Sequence, residues 1–117
     1  MKEMIKRGEI WLVNLNPSVG HEINKIRPMV IIQNDQGNEY SALTIIAPIT
    51  SNIDQVYPFQ VLLSRGNGLE KDSKVLLNQI RTVDKKRLVR RLGTINNETQ
   101  AQIDEAIKIS LGLINPE

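Results

Sequence analysis

Apolar positions along this chain fall into short runs bounded by turn residues. Met29-Val30-Ile31-Ile32 is unbroken and predicts a strand over 28–33 that is buried on both faces. Glu9-Ile10-Trp11-Leu12-Val13-Asn14-Leu15 is rich in strand formers, and Asn16-Pro17 ends it. Leu43-Thr44-Ile45-Ile46-Ala47 reads as a third strand. Pro48 just beyond it marks a sheet edge or a bulge. Phe59–Leu63 predicts a fourth strand and Lys74–Val83 another, with a polar break at Asn78-Gln79. Ser64-Arg65-Gly66-Asn67-Gly68 is the strongest turn signal in the chain. Residues 34–38 make a turn with room for a short helix, and 84–87 a single helical turn. Leu88–Ile95 suits helix or strand by spacing, and Gly93-Thr94-Ile95 favours strand.

The last segment is helical. Asn97 is the expected N-cap, with Gln100 three residues on in a capping-box-like arrangement. Ile103, Ala106 or Ile107, Ser110 or Leu111, and Ile114 mark its apolar stripe, and Pro116 closes it. Many short strands precede this one helix. There are no repeats, no linkers and no βαβ alternation. The expectation is a mainly β chain with α: one domain over 1–117, built as a small antiparallel barrel with the helix packed against it. Barrel edges need cover, and a homodimer commonly supplies it.

Composition narrows the chemistry. Hydrophobic content of 40% and charged content of 24% are those of a soluble globular protein. No apolar run is long enough for a membrane span and no signal-peptide core is present, so a cytoplasmic location without a membrane partner is expected. The lack of cysteine excludes disulfides and thiol nucleophiles. The single histidine, His21, excludes a two-histidine acid/base pair within one chain. No cluster has metal-ligand spacing, and no Gly-rich loop opens a helix, so neither metal nor cofactor is expected. Aromatic side chains are too few for stacking platforms to dominate.

The net charge is only +2, but residues 81–91 carry six basic side chains against Asp84. Such a block can track a phosphate backbone or simply form a solvated face.

Polar groups at predicted strand ends remain. Arg27-Pro28 opens the buried 28–33 strand, and Thr50 closes the run that begins at Leu43. If those strands are antiparallel neighbours, Arg27 and Thr50 lie at one rim of the sheet. A guanidinium fork with a hydroxyl suits a phosphate. Such residues also serve as loop anchors and strand-end hydrogen bonders.

Arg7-Gly8-Glu9-Ile10-Trp11-Leu12-Val13-Asn14-Leu15-Asn16-Pro17, then Gly20-His21-Glu22 and Arg27-Pro28-Met29-Val30-Ile31-Ile32-Gln33-Asn34, resemble the opening of the MazF/PemK toxin family. Pro48-Ile49-Thr50-Ser51 resembles that family's second active-site segment. The stretch Asp72–Leu88, with Asn78-Gln79-Ile80-Arg81-Thr82, resembles its third signature, and the chain's end fits as well. The resemblance spans essentially the whole chain, in order.

It implies an SH3-like barrel, a homodimer, and a sequence-specific, metal-independent endoribonuclease acting on single-stranded RNA. Attack by the RNA 2′-hydroxyl would leave a 2′,3′-cyclic phosphate and a 5′-hydroxyl. A cognate acidic antitoxin would block the groove, and operator DNA would be reached only through that antitoxin. Related barrels that poison a topoisomerase give the alternative: a non-catalytic binding module.

Carried over, the essential arginine falls on Arg27 and the essential threonine on Thr50. Asn34, Ser51, Pro58, Phe59 and Gln60 align with positions that approach RNA. His21, Glu22, Asn78 and Gln79 complete the expected substrate surface. Asn78 departs from a common family Glu, and an amide both donates and accepts where a carboxylate only accepts.

Overall fold

The computed structural model describes residues 4–15 and 26–116. His21, Glu22 and the rest of the 16–25 segment lie outside the described residues. Among these residues seven strands and two α-helices follow in the order β1 Glu9–Asn14, β2 Ile26–Ile31, α1 Asp35–Tyr40, β3 Leu43–Thr50, β4 Gln60–Leu63, β5 Ser73–Leu76, β6 Arg81–Asp84, β7 Leu88–Thr94 and α2 Asn97–Ser110. All strand pairings are antiparallel.

The β2 run is buried on both sides, as its sequence predicts. Val30 and Ile32 join a core with Ile10, Ala47, Ile49, Val75, Leu77 and, from α2, Ile103 and Ala106. Met29 and Ile31 point the other way, into a second cluster with Ile5, Trp11, Val13, Ile46 and Val83. An unbroken apolar run is what a strand between two cores requires.

The barrel expectation is corrected. The sheet is open, running β4-β5-β3-β2-β1-β7, with β6 alongside β3. β3 is long enough to carry two partners on one side. Leu43–Ile46 pairs with β6, and Ile49–Thr50 pairs with β5. A 3₁₀ turn at Leu77–Gln79 interrupts the partner strand there, opposite Ala47 and Pro48. That is where the sequence placed a polar break and a proline irregularity. Because β6 is spent on β3 and β7 on β1, the outer edges of β4 and β7 do not join in a ladder.

A turn bridges the gap by packing instead. Gly66 and Leu69 exchange two backbone hydrogen bonds of 2.9 Å, and Asn67 and Gly68 between them have φ of 52° and 90°. These positive angles define the tight hairpin turn that Asn-Gly favours. This turn presses on β7: a Cβ added at Gly93 would stand 2.3 Å from the Asn67 carbonyl oxygen. The loop that follows the turn is thereby held beside β7.

The α2 start is corrected by one residue. Asn96, in extended geometry, is the N-cap and its Oδ1 accepts from Thr99 N at 2.8 Å. Asn97 is already helical, and Gln100 turns to Asp104 at 3.0 Å rather than back to a cap. Arg7 ties α2 to the sheet through Asp104 at 2.7 Å and the Ile32 carbonyl at 2.9 Å.

Candidate functional site

The β2–β3 register sets Met29 opposite Pro48. Carried two residues further, it brings Arg27 across from Thr50. Both side chains line one cavity of about 420 Å³ at the open end of the strands. Strand alternation gives Arg27 and Thr50 one parity, and Leu12, Pro28 and Ile49 the other. The cavity wraps the sheet's end, so residues of both parities reach it.

Neighbouring elements complete the wall. The β4–β5 loop contributes Gly68, Leu69, Glu70 and Lys71, the start of β5 contributes Ser73, and β7 contributes Arg90 and Leu92. Leu12, Ile49, Leu69 and Leu92 make its apolar floor. Ser51 lies beside Thr50.

The polar chemistry of this cavity is open to a ligand. Thr50 Oγ1 accepts from Asn52 N at 3.2 Å, which leaves the hydroxyl proton free to be donated. Among the described residues, no hydrogen bond or ion pair engages the side chains of Arg27, Lys71 or Arg90. Other cations are committed. Arg91 holds Glu9 at 3.0 Å, Arg87 donates to the Asn14 carbonyl, Lys85 to the Asn38 carbonyl, and Lys74 to the Gln55 carbonyl. Three of the six basic residues in the 81–91 block, Lys85, Arg87 and Arg91, are therefore committed to the fold. Arg90 turns to the cavity while its neighbours brace the fold.

Other expected site residues lie elsewhere. Asn34 caps α1, its Oδ1 accepting from Gly37 N at 2.7 Å. Pro58 and Gln60 line a separate hollow against α2. Phe59 precedes β4 and stacks on Tyr57, with ring centroids 5.6 Å apart. Asn78 and Gln79 are exposed on the 3₁₀ turn. The β4–β5 loop and Arg90 are absent from the sequence-based site. They meet it only through the turn-on-β7 contact, which local patterning does not encode. Arg90's place in the basic block was the one available signal.

Among the described residues, no group of three or more His, Cys, Asp or Glu side chains could hold a metal ion. No helix among them is long and apolar enough to cross a membrane.

A relative from Mycobacterium tuberculosis described as endoribonuclease MazF9 is 44% identical over 116 residues, covering 94% of this chain and 98% of its own length. A solved MazE-MazF structure from Deinococcus radiodurans shares the fold with a TM-score of 0.81 at 24% identity, over 97% of this chain and 100% of its own. A mycobacterial endoribonuclease in complex with its cognate antitoxin has a TM-score of 0.79 at 24% identity, over 96% and 99%. A family model for PemK-like, MazF-like toxins of type II toxin–antitoxin systems matches residues 6–111. The chain belongs to that toxin family.

Proposed function

We propose that this toxin cuts single-stranded RNA where β2 begins and β3 ends, with Arg27 and Thr50 acting on one phosphodiester. The observation that carries the reading is the β2–β3 register, which aligns the two residues at one rim, together with the cavity they share. Membership of the family and the 44% identical endoribonuclease support an endoribonuclease toxin that an antitoxin neutralises. Relatives solved with antitoxins support such a partner.

The attacking group is the RNA's own 2′-hydroxyl. Its oxygen bonds to phosphorus as the P–O5′ bond breaks. The 2′-hydroxyl loses its proton, and the departing 5′-oxygen gains one. The products are a 2′,3′-cyclic phosphate and a 5′-hydroxyl. The protein's task is to fix in-line geometry and stabilise the charge on the five-coordinate phosphorus. Arg27 can grip two phosphoryl oxygens at once, so its role is to supply positive charge to the phosphate. Thr50 donates its hydroxyl proton to a phosphoryl oxygen.

The same cavity suits the acidic, partly apolar segment of an antitoxin, since it joins free cations to an apolar floor. Leu62, Leu111 and Leu113 remain largely exposed, and a second copy of the chain would cover such surface, in keeping with a homodimer. The substrate places the toxin in the cytoplasm.

Purified protein incubated with a long single-stranded RNA in EDTA should give discrete cuts with 5′-hydroxyl ends. A 2′-deoxy nucleotide at the cut site should abolish cleavage, and cutting that persisted there would refute the nucleophile. Arg27→Ala and Thr50→Ala should each lower kcat by about 10²–10³, the usual loss of a transition-state donor, while circular dichroism remains that of the folded protein. Sedimentation equilibrium tests the dimer: a monomer throughout the micromolar range would reject it.

A further inference from the structure

We infer that Arg90, assisted by Lys71, forms a second phosphate subsite that holds the phosphodiester next to the one being cut. The inference rests on the ribonuclease reading above and adds a positioning role that Arg27 and Thr50 do not fill.

Leu12 is the Cα partner of both Pro28 on β2 and Arg90 on β7. Three adjacent strands therefore set Arg90 and Pro28 roughly 10 Å apart across the sheet, two strand spacings. Arg27 precedes Pro28 directly. Arg27 has the opposite strand parity, so its side chain and that of Arg90 reach the shared cavity around the sheet's end, where the two can meet neighbouring phosphates of one strand.

The local backbone aims Arg90 there. The β1–β7 register is Leu12 to Arg90 and then Val13 to Leu88, so Val89 is an extra residue and is 54% exposed. Bulges of this kind re-aim side chains beside active sites. The two arginines flanking this point part company. Arg91, opposite Trp11, is bound to Glu9. Arg90, opposite Leu12, lines the cavity and has no partner among the described residues.

Lys71 reaches the same cavity from the β4–β5 loop, which the turn at Gly66–Leu69 fixes against β7. The cavity's carboxylate, Glu70, opposes phosphate there. An arginine fork and an ammonium outweigh it, and both suit a phosphate.

The test uses a short single-stranded RNA spanning a mapped cut site, with 2′-deoxyribose at the cut position so that it binds uncleaved. Affinity is measured against salt for the wild-type protein, Arg90→Ala, Arg90→Lys and Lys108→Ala. Each lost phosphate contact should reduce the slope of log K against log salt by about 0.7 for a single strand. Arg90→Ala should show that reduction, and its KM on cleavable RNA should rise more than its kcat falls. Arg90→Lys should retain the slope, because the charge is kept. Lys108→Ala, on α2 away from the cavity, should match the wild type. An unchanged slope for Arg90→Ala, in a background where the wild type binds and cuts, overturns the subsite alone. A wild type that neither binds nor cuts RNA overturns the ribonuclease reading and the subsite with it. A fall in kcat without a rise in KM also overturns it, since a flanking contact acts on binding.

Discussion

Arg91 spends its charge on Glu9, a carboxylate 94% buried at the side chain that also accepts from Trp11 Nε1 and Lys6 N, each at 2.9 Å. Such a carboxylate needs its donors, because a buried charge left unpaired is costly. Arg90, one residue earlier, has no such debt and can meet a ligand. Strand alternation divides the two roles, with no difference in residue type. Glu70 gives the converse test at this scale. It is an exposed carboxylate on the wall of a cavity whose other charges are cationic. Glu70→Gln removes repulsion towards phosphate while keeping shape and hydrogen-bonding capacity. RNA affinity should tighten by about 2–5-fold at low salt, the scale of one screened charge pair at a surface. The measurement is binding of the 2′-deoxy RNA. A kcat reduced a hundredfold on cleavable RNA would instead identify Glu70 as the proton acceptor.

Asn96 and Asn97 are adjacent in sequence, and only one of them can cap α2. Asn96→Ala should cost about 1 kcal/mol of stability and Asn97→Ala should leave it within a few tenths or slightly raise it, both read from urea unfolding. The pair shows where sequence reading stops short. The helix with Ile103 and Ala106 in the core follows from local patterning, as do the strands expected from Glu9 and over 28–33 and observed at 9–14 and 26–31. The helix ends at Ser110, short of the expected Ile114 and Pro116. Two equivalent caps in a row are separated only by the backbone, in which Asn96 is extended. The Arg27–Thr50 rim was legible because β2 and β3, consecutive strands with only α1 between them, pair antiparallel. The open sheet and the Arg90 wall were not, because they depend on β7 crossing to β1 and on a distant turn packing against it. Gly93 is the hinge of that contact. In Gly93→Ala the new methyl would press on the Asn67 carbonyl at 2.3 Å. Stability should fall by about 1–3 kcal/mol, as for other overpacked sites. RNA affinity should fall with it, because the displaced turn holds the loop that carries Lys71. Stability lost with unchanged affinity would mean that the loop holds its place without β7.

At the scale of the whole molecule, a net charge of +2 gives little long-range attraction for a polyanion. Binding must then depend on where uncommitted cations lie. Arg27, Lys71 and Arg90 share one cavity, whereas Arg7, Lys74, Lys85, Arg87 and Arg91 are tied to carboxylates or carbonyls. If these three cations carry the phosphate contacts, the wild-type slope of log K against log salt should be about −2, at roughly 0.7 per contact on a single strand. Affinity for the 2′-deoxy RNA should accordingly drop about 20-fold between 50 and 200 mM monovalent salt, following that same slope. A slope near −4 would bring in cations outside the cavity, Arg81 and Lys86 first, and would mean that RNA is held across the basic block. A slope near zero would remove phosphate contacts from the cavity altogether. The intermediate value is the one expected of a site that grips a short stretch of strand at one rim of an open sheet.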